Sequence, residues 1–165
     1  MNSIAILGAG TWGIALAKML KNTNKNVTVW SALPDEIEEL SKTSRHPKLP
    51  NVLIPKGIEY TTDIKLAVEN KDIIMFAVPS VFVRQTARKC KDYIKDNQII
   101  VDVAKGIEPD TLFTLTQVID DEIKNKTVKY VALSGPTHAE EVSRDMPTTI
   151  LKLQSLCRNF FQALL

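Results

Sequence analysis

A short apolar run, Ile4-Ala5-Ile6-Leu7, passes directly into Gly8-Ala9-Gly10-Thr11-Trp12-Gly13, and this junction constrains the fold more than any other feature of the chain. The run is too short for a buried helix and reads as a strand. Beyond the glycines, Trp12, Leu16, Met19 and Leu20 recur at helical spacing, so a helix follows. Glycines in a GxGxxG spacing between a strand and a helix have a physical logic. Gly8 permits the tight turn, Gly10 lets a pyrophosphate approach the backbone, and Gly13 lets helix and strand pack closely. The phosphates would then meet unpaired N–H groups at the positive end of the helix dipole. A lone glycine-rich hexapeptide is a weak signal. Here the strand before it, the helix after it and a second strand at Val27-Thr28-Val29-Trp30 supply the context of a dinucleotide-binding loop.

The rest of the chain repeats the alternation of short apolar runs with longer amphipathic ones. This predicts an α/β fold of the Rossmann type: a doubly wound, mainly parallel sheet with helices on both faces. Pro34 suits a first helical turn, and Asp35, Glu36, Glu38 and Glu39 sit favourably near that helix's N-terminus. Arg45 to Gly57 reads as a loop, and Asp63 caps a short helix through Val68. Asp72 to Val78 is a nearly unbroken apolar strand, as a sheet covered on both faces requires. Pro79 ends it, and a helix over 81–94 leads to a strand over 98–103. Pro109 is expected to open a helix with Leu112, Leu115, Val118 and Ile119 on one face. A strand over 128–133, a turn at Gly135-Pro136, a short helix, a strand over 148–151 and a terminal amphipathic helix complete the prediction.

Composition narrows the function classes. The 165 residues suit one globular domain, spanning 1–165. A net charge of +2 from 21 basic and 19 acidic side chains, without a dense basic run, argues against nucleic acid or an anionic membrane as partner. No apolar stretch approaches the roughly 20 residues that span a bilayer, and the N-terminus lacks a signal-peptide pattern. A cytoplasmic location is expected. Cys90 and Cys157 match neither a CxxC nor a zinc spacing and read as reduced, semi-buried thiols.

The end of the second strand normally reports the cofactor: an acid there bonds the ribose of NAD, a basic residue the 2′-phosphate of NADP. Here Ser31, Ala32 and Leu33 follow Trp30, and Asp35 is better read as a helix-start acid. NAD or NADP both stay open, and the missing cation leans towards NAD.

Five islands then carry a family resemblance. They are Gly8 to Ala17, Leu49-Pro50-Asn51 with Ile54-Pro55, and Ala77-Val78-Pro79-Ser80 with Phe82 and Arg84. Ala104-Lys105-Gly106-Ile107-Glu108 follows, then Leu133-Ser134-Gly135-Pro136-Thr137-His138-Ala139-Glu140-Glu141-Val142, ending in Pro147-Thr148. In this order they resemble bacterial NAD(P)-dependent glycerol-3-phosphate dehydrogenase over about Ile4 to Ile150. The resemblance implies interconversion of dihydroxyacetone phosphate and sn-glycerol 3-phosphate for phospholipid synthesis. It makes Thr11, Trp12, Phe82 and Ala139 cofactor contacts, Lys105 a lysine shared by cofactor and substrate, and Gly135 and Thr137 substrate contacts.

The residues allow plainer readings beside these. Lys105 follows a strand's carboxyl end, where a cation can hold a phosphate or polarise a carbonyl, yet most lysines here are simply solvated. Phe82 could pack in the core of the following helix, and Gly135-Pro136-Thr137 could be only a turn with a helix cap. His138 reads as a surface or capping residue, and His46 has no evident ligand partner. No metal-binding cluster is expected.

The family enzyme continues into a helical domain that carries the acid/base lysine and the substrate-phosphate clamp, so no catalytic acid/base is assigned within these 165 residues. The expectation is dinucleotide binding without appreciable turnover by this chain alone, and the resemblance leaves room for a homodimer of the full-length enzyme. The alternative is a stand-alone, non-catalytic dinucleotide-binding module.

Overall fold

The computed structural model describes residues 2–124 and 126–155. The first strand, β1 (Ser3–Leu7), ends at Gly8 and is followed by α1 (Thr11–Asn22) and β2 (Asn26–Trp30). Helix α2 (Pro34–Thr43) has its proline in the first turn, with Asp35 and Glu36 beside the N-terminal dipole. Next come β3 (Glu59–Thr61) and α3 (Ile64–Val68), the latter capped by Asp63, whose carboxylate accepts from the Lys65 and Leu66 amides. Then β4 (Ile73–Phe76), α4 (Ser80–Cys90) and a single 3-10 turn (Lys91–Tyr93) lead to β5 (Ile99–Asp102). The chain continues through α5 (Leu115–Glu122), β6 (Lys129–Ser134), α6 (Ala139–Ser143) and β7 (Leu151–Ser155).

The strands form one sheet in the order β3-β2-β1-β4-β5-β6-β7. All pairs are parallel except β6 with β7, which is antiparallel. Two cores cover the sheet, and the strand period of two sorts side chains between them. Ala5 and Leu7 join Val83, Ala87, Leu115 and Val118 on one face. Ile4 and Ile6 join Ile14, Leu16, Leu40 and Ile54 on the other. This is the expected Rossmann-type, doubly wound architecture. Because the chain leaves β1 towards β2 on one side and returns at β4 on the other, the strand order reverses at β1. Ligands of such sheets collect beyond the carboxyl ends of the strands at that reversal.

Several boundaries differ from the sequence reading. Strand β3 lies just beyond the stretch read as a loop; at three residues on the sheet edge it is too short to show a period. Pro109 opens no helix. Thr114 starts α5 with a reciprocal capping box, its hydroxyl accepting from the Gln117 amide while the Gln117 side chain accepts from the Thr114 amide. Leu112 therefore lies outside the helix, 72% exposed with φ of 58°, rather than on its buried face. The strand expected over 148–151 is placed at Leu151–Ser155. The four buried residues of α1 after Gly13 are Ile14 to Ala17, while Met19, expected on the buried face, is 37% exposed. Cys90 is wholly buried rather than half-buried, and burial pushes its thiol up to about 12. Cys157 and the terminal helix lie outside the described residues. Among the described residues no helix is long and apolar enough to cross a membrane, and no group of three potential metal ligands occurs.

Candidate functional site

The turn after β1 is built by excluded volume. Gly8 has φ of +126°, and a Cβ there would stand 2.7 Å from the Ala77 backbone after β4. A Cβ on Gly13 would approach the Gly8 carbonyl oxygen to 2.0 Å, so helix and strand touch where only glycine fits. Gly10 is different: a Cβ there meets nothing within 4 Å. It is the N-cap of α1 and offers no side-chain hydrogen bond, so the amides of the first turn face an open groove. An extended, doubly charged diphosphate, as a dinucleotide carries, fits such a cradle of backbone N–H groups.

Three adjoining hollows make up the groove. The middle one is lined by Gly10, Thr11, Trp12, the Ala77–Ser80 turn and Val103-Ala104-Lys105. Towards β2, a second is lined by Gly10, Thr11, Glu36, Glu39, Leu40 and His46-Pro47-Lys48. Towards β6, a third is lined by Trp12, Asp102 to Gly106, Thr114 to Thr116, Ala132 to Gly135, Thr137 and Leu153. The first and second share Gly10 and Thr11, and the first and third share Trp12 and Lys105. Gly10, Thr11, Trp12, Lys105, Gly135 and Thr137 are thus brought to one groove, with Gly8 and Gly13 shaping its floor.

Hydrogen bonds fix several walls. The Trp12 indole N–H donates to the Val103 carbonyl (3.1 Å), tying α1 to the loop after β5. The Lys105 ammonium donates to the Thr137 carbonyl (2.7 Å), bridging the loops after β5 and β6. Thr137 is buried, and a Cβ on Gly135 would stand 2.5 Å from the Thr149 carbonyl oxygen. Two candidates stand apart from this lining. Phe82 is 52% exposed on α4, which also removes the reading of it as a core residue. Ala139 begins α6 away from the three hollows. His138 is exposed at the N-cap of α6 but makes no side-chain cap bond.

Sequence reasoning missed three features. Asp102 ends β5 inside the third hollow, 7% exposed, accepting from the Ala104 amide (3.0 Å) and the Thr116 hydroxyl (3.2 Å). Burial raises its carboxyl to about 6, partly offset by those two bonds. The sequence signal was an acid interrupting the apolar run Ile99-Ile100-Val101. His46 lines the second hollow, and burial holds its imidazole below the ordinary value against the opposing pull of Glu36 and Glu39. At the end of β2 the buried Ser31 hydroxyl donates to Glu36 at 2.6 Å.

The strand order, the glycine turn and the groove where the strand order reverses define a protein of the Rossmann-type, doubly wound class. Residues 3–155 match the family model described as NAD-dependent glycerol-3-phosphate dehydrogenase N-terminus, and the chain belongs to that family. It is 61% identical over 155 residues to glycerol-3-phosphate dehydrogenase [NAD(P)+] 2 of Lactobacillus delbrueckii subsp. bulgaricus, covering 92% of this chain and 46% of that protein. It is 50% identical over 150 residues to glycerol-3-phosphate dehydrogenase [NAD(P)+] of Fusobacterium nucleatum, covering 90% of this chain and 45% of that one. Among solved structures, glycerol-3-phosphate dehydrogenase from Coxiella burnetii superposes with a TM-score of 0.86 at 29% identity, over 99% of this chain and 50% of that one. The chain therefore spans about half the length of the relatives it matches.

Proposed function

We propose that this chain is the cofactor-holding part of a glycerol-3-phosphate dehydrogenase, binding NAD or NADP and serving the interconversion of dihydroxyacetone phosphate and sn-glycerol 3-phosphate. One observation carries the reading: the open N-terminus of α1 at Gly10, facing a groove at the reversal of a parallel sheet. The names of the relatives support the cofactor and the reaction. A bound nicotinamide supplies the hydride. The chain's own residues then have distinct tasks. Thr11 and Trp12 line the dinucleotide's path, and the Trp12 indole keeps the β5 loop against it. Lys105 sits where the middle and third hollows meet, so its ammonium can reach a phosphate or carbonyl oxygen by leaving the Thr137 carbonyl. Gly135 and Thr137 shape the substrate end. Phe82 and Ala139 belong to this reading by family resemblance alone, since neither lines the three hollows. The same reading takes residues 1–165 as one domain of a cytoplasmic enzyme, with a homodimer open for the whole protein.

Tryptophan fluorescence tests it, since Trp12 lies in the groove. Titration with NADH is expected to quench tryptophan emission and excite nicotinamide emission by energy transfer. Gly10→Ala, which adds a methyl group to open space and so leaves the fold intact, should weaken binding at least about tenfold, roughly 1.4 kcal/mol. Absence of any response with both NADH and NADPH would remove the reading.

A further inference from the structure

We propose that Glu36, held by Ser31, is the residue that reads the adenosine ribose and makes this chain select NAD over NADP. The proposal deepens the cofactor reading above and rests on it. The position at which an acid ordinarily ends the second strand of such sheets is occupied by Ser31. The function of that acid is supplied from the next helix instead. Ser31 is buried, its hydroxyl donates to Glu36 Oε2 at 2.6 Å, and the serine Oγ itself accepts from the Leu33 amide at 3.1 Å. The carboxylate is thereby drawn back over the carboxyl end of β2, beside Gly10 and Thr11 in the second hollow. This is the side to which the adenosine extends once the pyrophosphate lies on the first turn of α1. With Oε2 engaged by Ser31, Oε1 remains as the acceptor for a ribose hydroxyl.

The charges around the hollow favour a hydroxyl over a phosphate. Glu36 and Glu39 line it with one cation, Lys48. Burial disfavours the charged form of the His46 imidazole, against the opposing pull of Glu36 and Glu39. Its Nδ1 already accepts from the Lys48 amide at 3.2 Å. A 2′-phosphate would bring about two negative charges to two carboxylates and a single lysine, and Ala32 and Leu33 offer it no donor side chain. A 2′-hydroxyl instead gains a charge-assisted hydrogen bond.

Parallel titrations of the purified protein with NADH and NADPH, read by nicotinamide fluorescence, test the assignment. The expected result is NADH bound at least about tenfold more tightly than NADPH, the ratio that 1.4 kcal/mol gives. Glu36→Gln keeps a hydrogen-bonding group and removes the charge, so it should shrink that ratio to within about threefold, chiefly by improving NADPH. Circular dichroism of the variant checks that the fold is kept, and Glu39→Gln, which lacks the serine tether, should change the ratio less. Equal binding of both cofactors with no response to Glu36→Gln overturns this inference while leaving the dinucleotide reading standing. NADPH bound more tightly, and lost in Lys48→Ala, assigns the hollow to a 2′-phosphate and also overturns it. No binding of either cofactor overturns both.

Discussion

The turn after β1 and the loop after β5 both deliver residues to the same groove, yet they are held by opposite means. The first is shaped by what is missing: at Gly8 and Gly13 a single methyl group would collide with backbone. The second is shaped by charge. Arg84 of α4 donates two hydrogen bonds to Glu108, at 2.6 and 2.7 Å, and one each to Asp121 and Glu122 of α5, at 2.7 and 2.9 Å. That cluster anchors the loop just beyond Lys105, while Asp102 anchors its start through the Ala104 amide. A shape-held turn is insensitive to solvent conditions, whereas a charge-held loop answers to pH and salt.

Breaking the first region should have the largest effect. In Gly13→Ala the new Cβ must displace α1 from β1, which costs about 3 kcal/mol, as overpacking does. In thermal unfolding this is a loss of roughly 6–12 °C in Tm for a domain of this size. A variant within about 2 °C of the parent would show that the helix yields freely.

The pH dependence of the second region sharpens the contrast. Asp102 has its carboxyl raised from 3.8 to about 6 by burial. Its neutral form is the one the folded state prefers. The stability it contributes is thus fully present below about pH 4 and is lost as pH rises through about 6. Asp102→Asn retains an acceptor for the Ala104 amide and removes that titration. Relative to the parent, the variant should gain about 3 kcal/mol between pH 4 and 7, from roughly two pH units at 1.36 kcal/mol each. Parallel unfolding curves across that range check it, and a constant difference would refute it.

Arg84→Ala should have the smallest effect of the three, about 1–2 kcal/mol, because the guanidinium is a quarter exposed and water replaces part of what is lost. The loss should shrink in high salt. Its pH window is the reverse of that of Asp102. Arg84 holds the Glu108 carboxyl down at about 2, so the pair's contribution is present above about pH 4.5 and disappears as pH falls towards 2. Denaturant midpoints at two salt concentrations and two pH values measure both dependences.

The same comparison explains what could be read from the sequence. Excluded volume at Gly8 and Gly13, the proline in the first turn of α2 and the Asp63 cap are local, so a few adjacent residues encode them. The bonds of Arg84 join positions 24 to 38 apart, and no local pattern predicts them. Without that anchor, Pro109 looked like a helix start, whereas the chain from Glu108 to Phe113 closes on itself and the capping box at Thr114 decides where α5 begins. The direction of β7 was likewise illegible, because a run of alternating residues reads the same paired either way. In the groove, glycines and Lys105 were visible as motif residues. Glu36 was hidden because its role depends on Ser31 drawing it back from a helix that already explained its presence.

Helix α1 bears on the groove in a further way. Its first turn carries Trp12, latched to the β5 loop, and along its length it packs against α6, with Lys18 paired to Asp145 at 2.6 Å. The β5 loop, which lines the slot, and α6 behind it are therefore both fastened to one helix twelve residues long. With that wall of the slot fastened in advance, an entering ligand gives up little energy to ordering it.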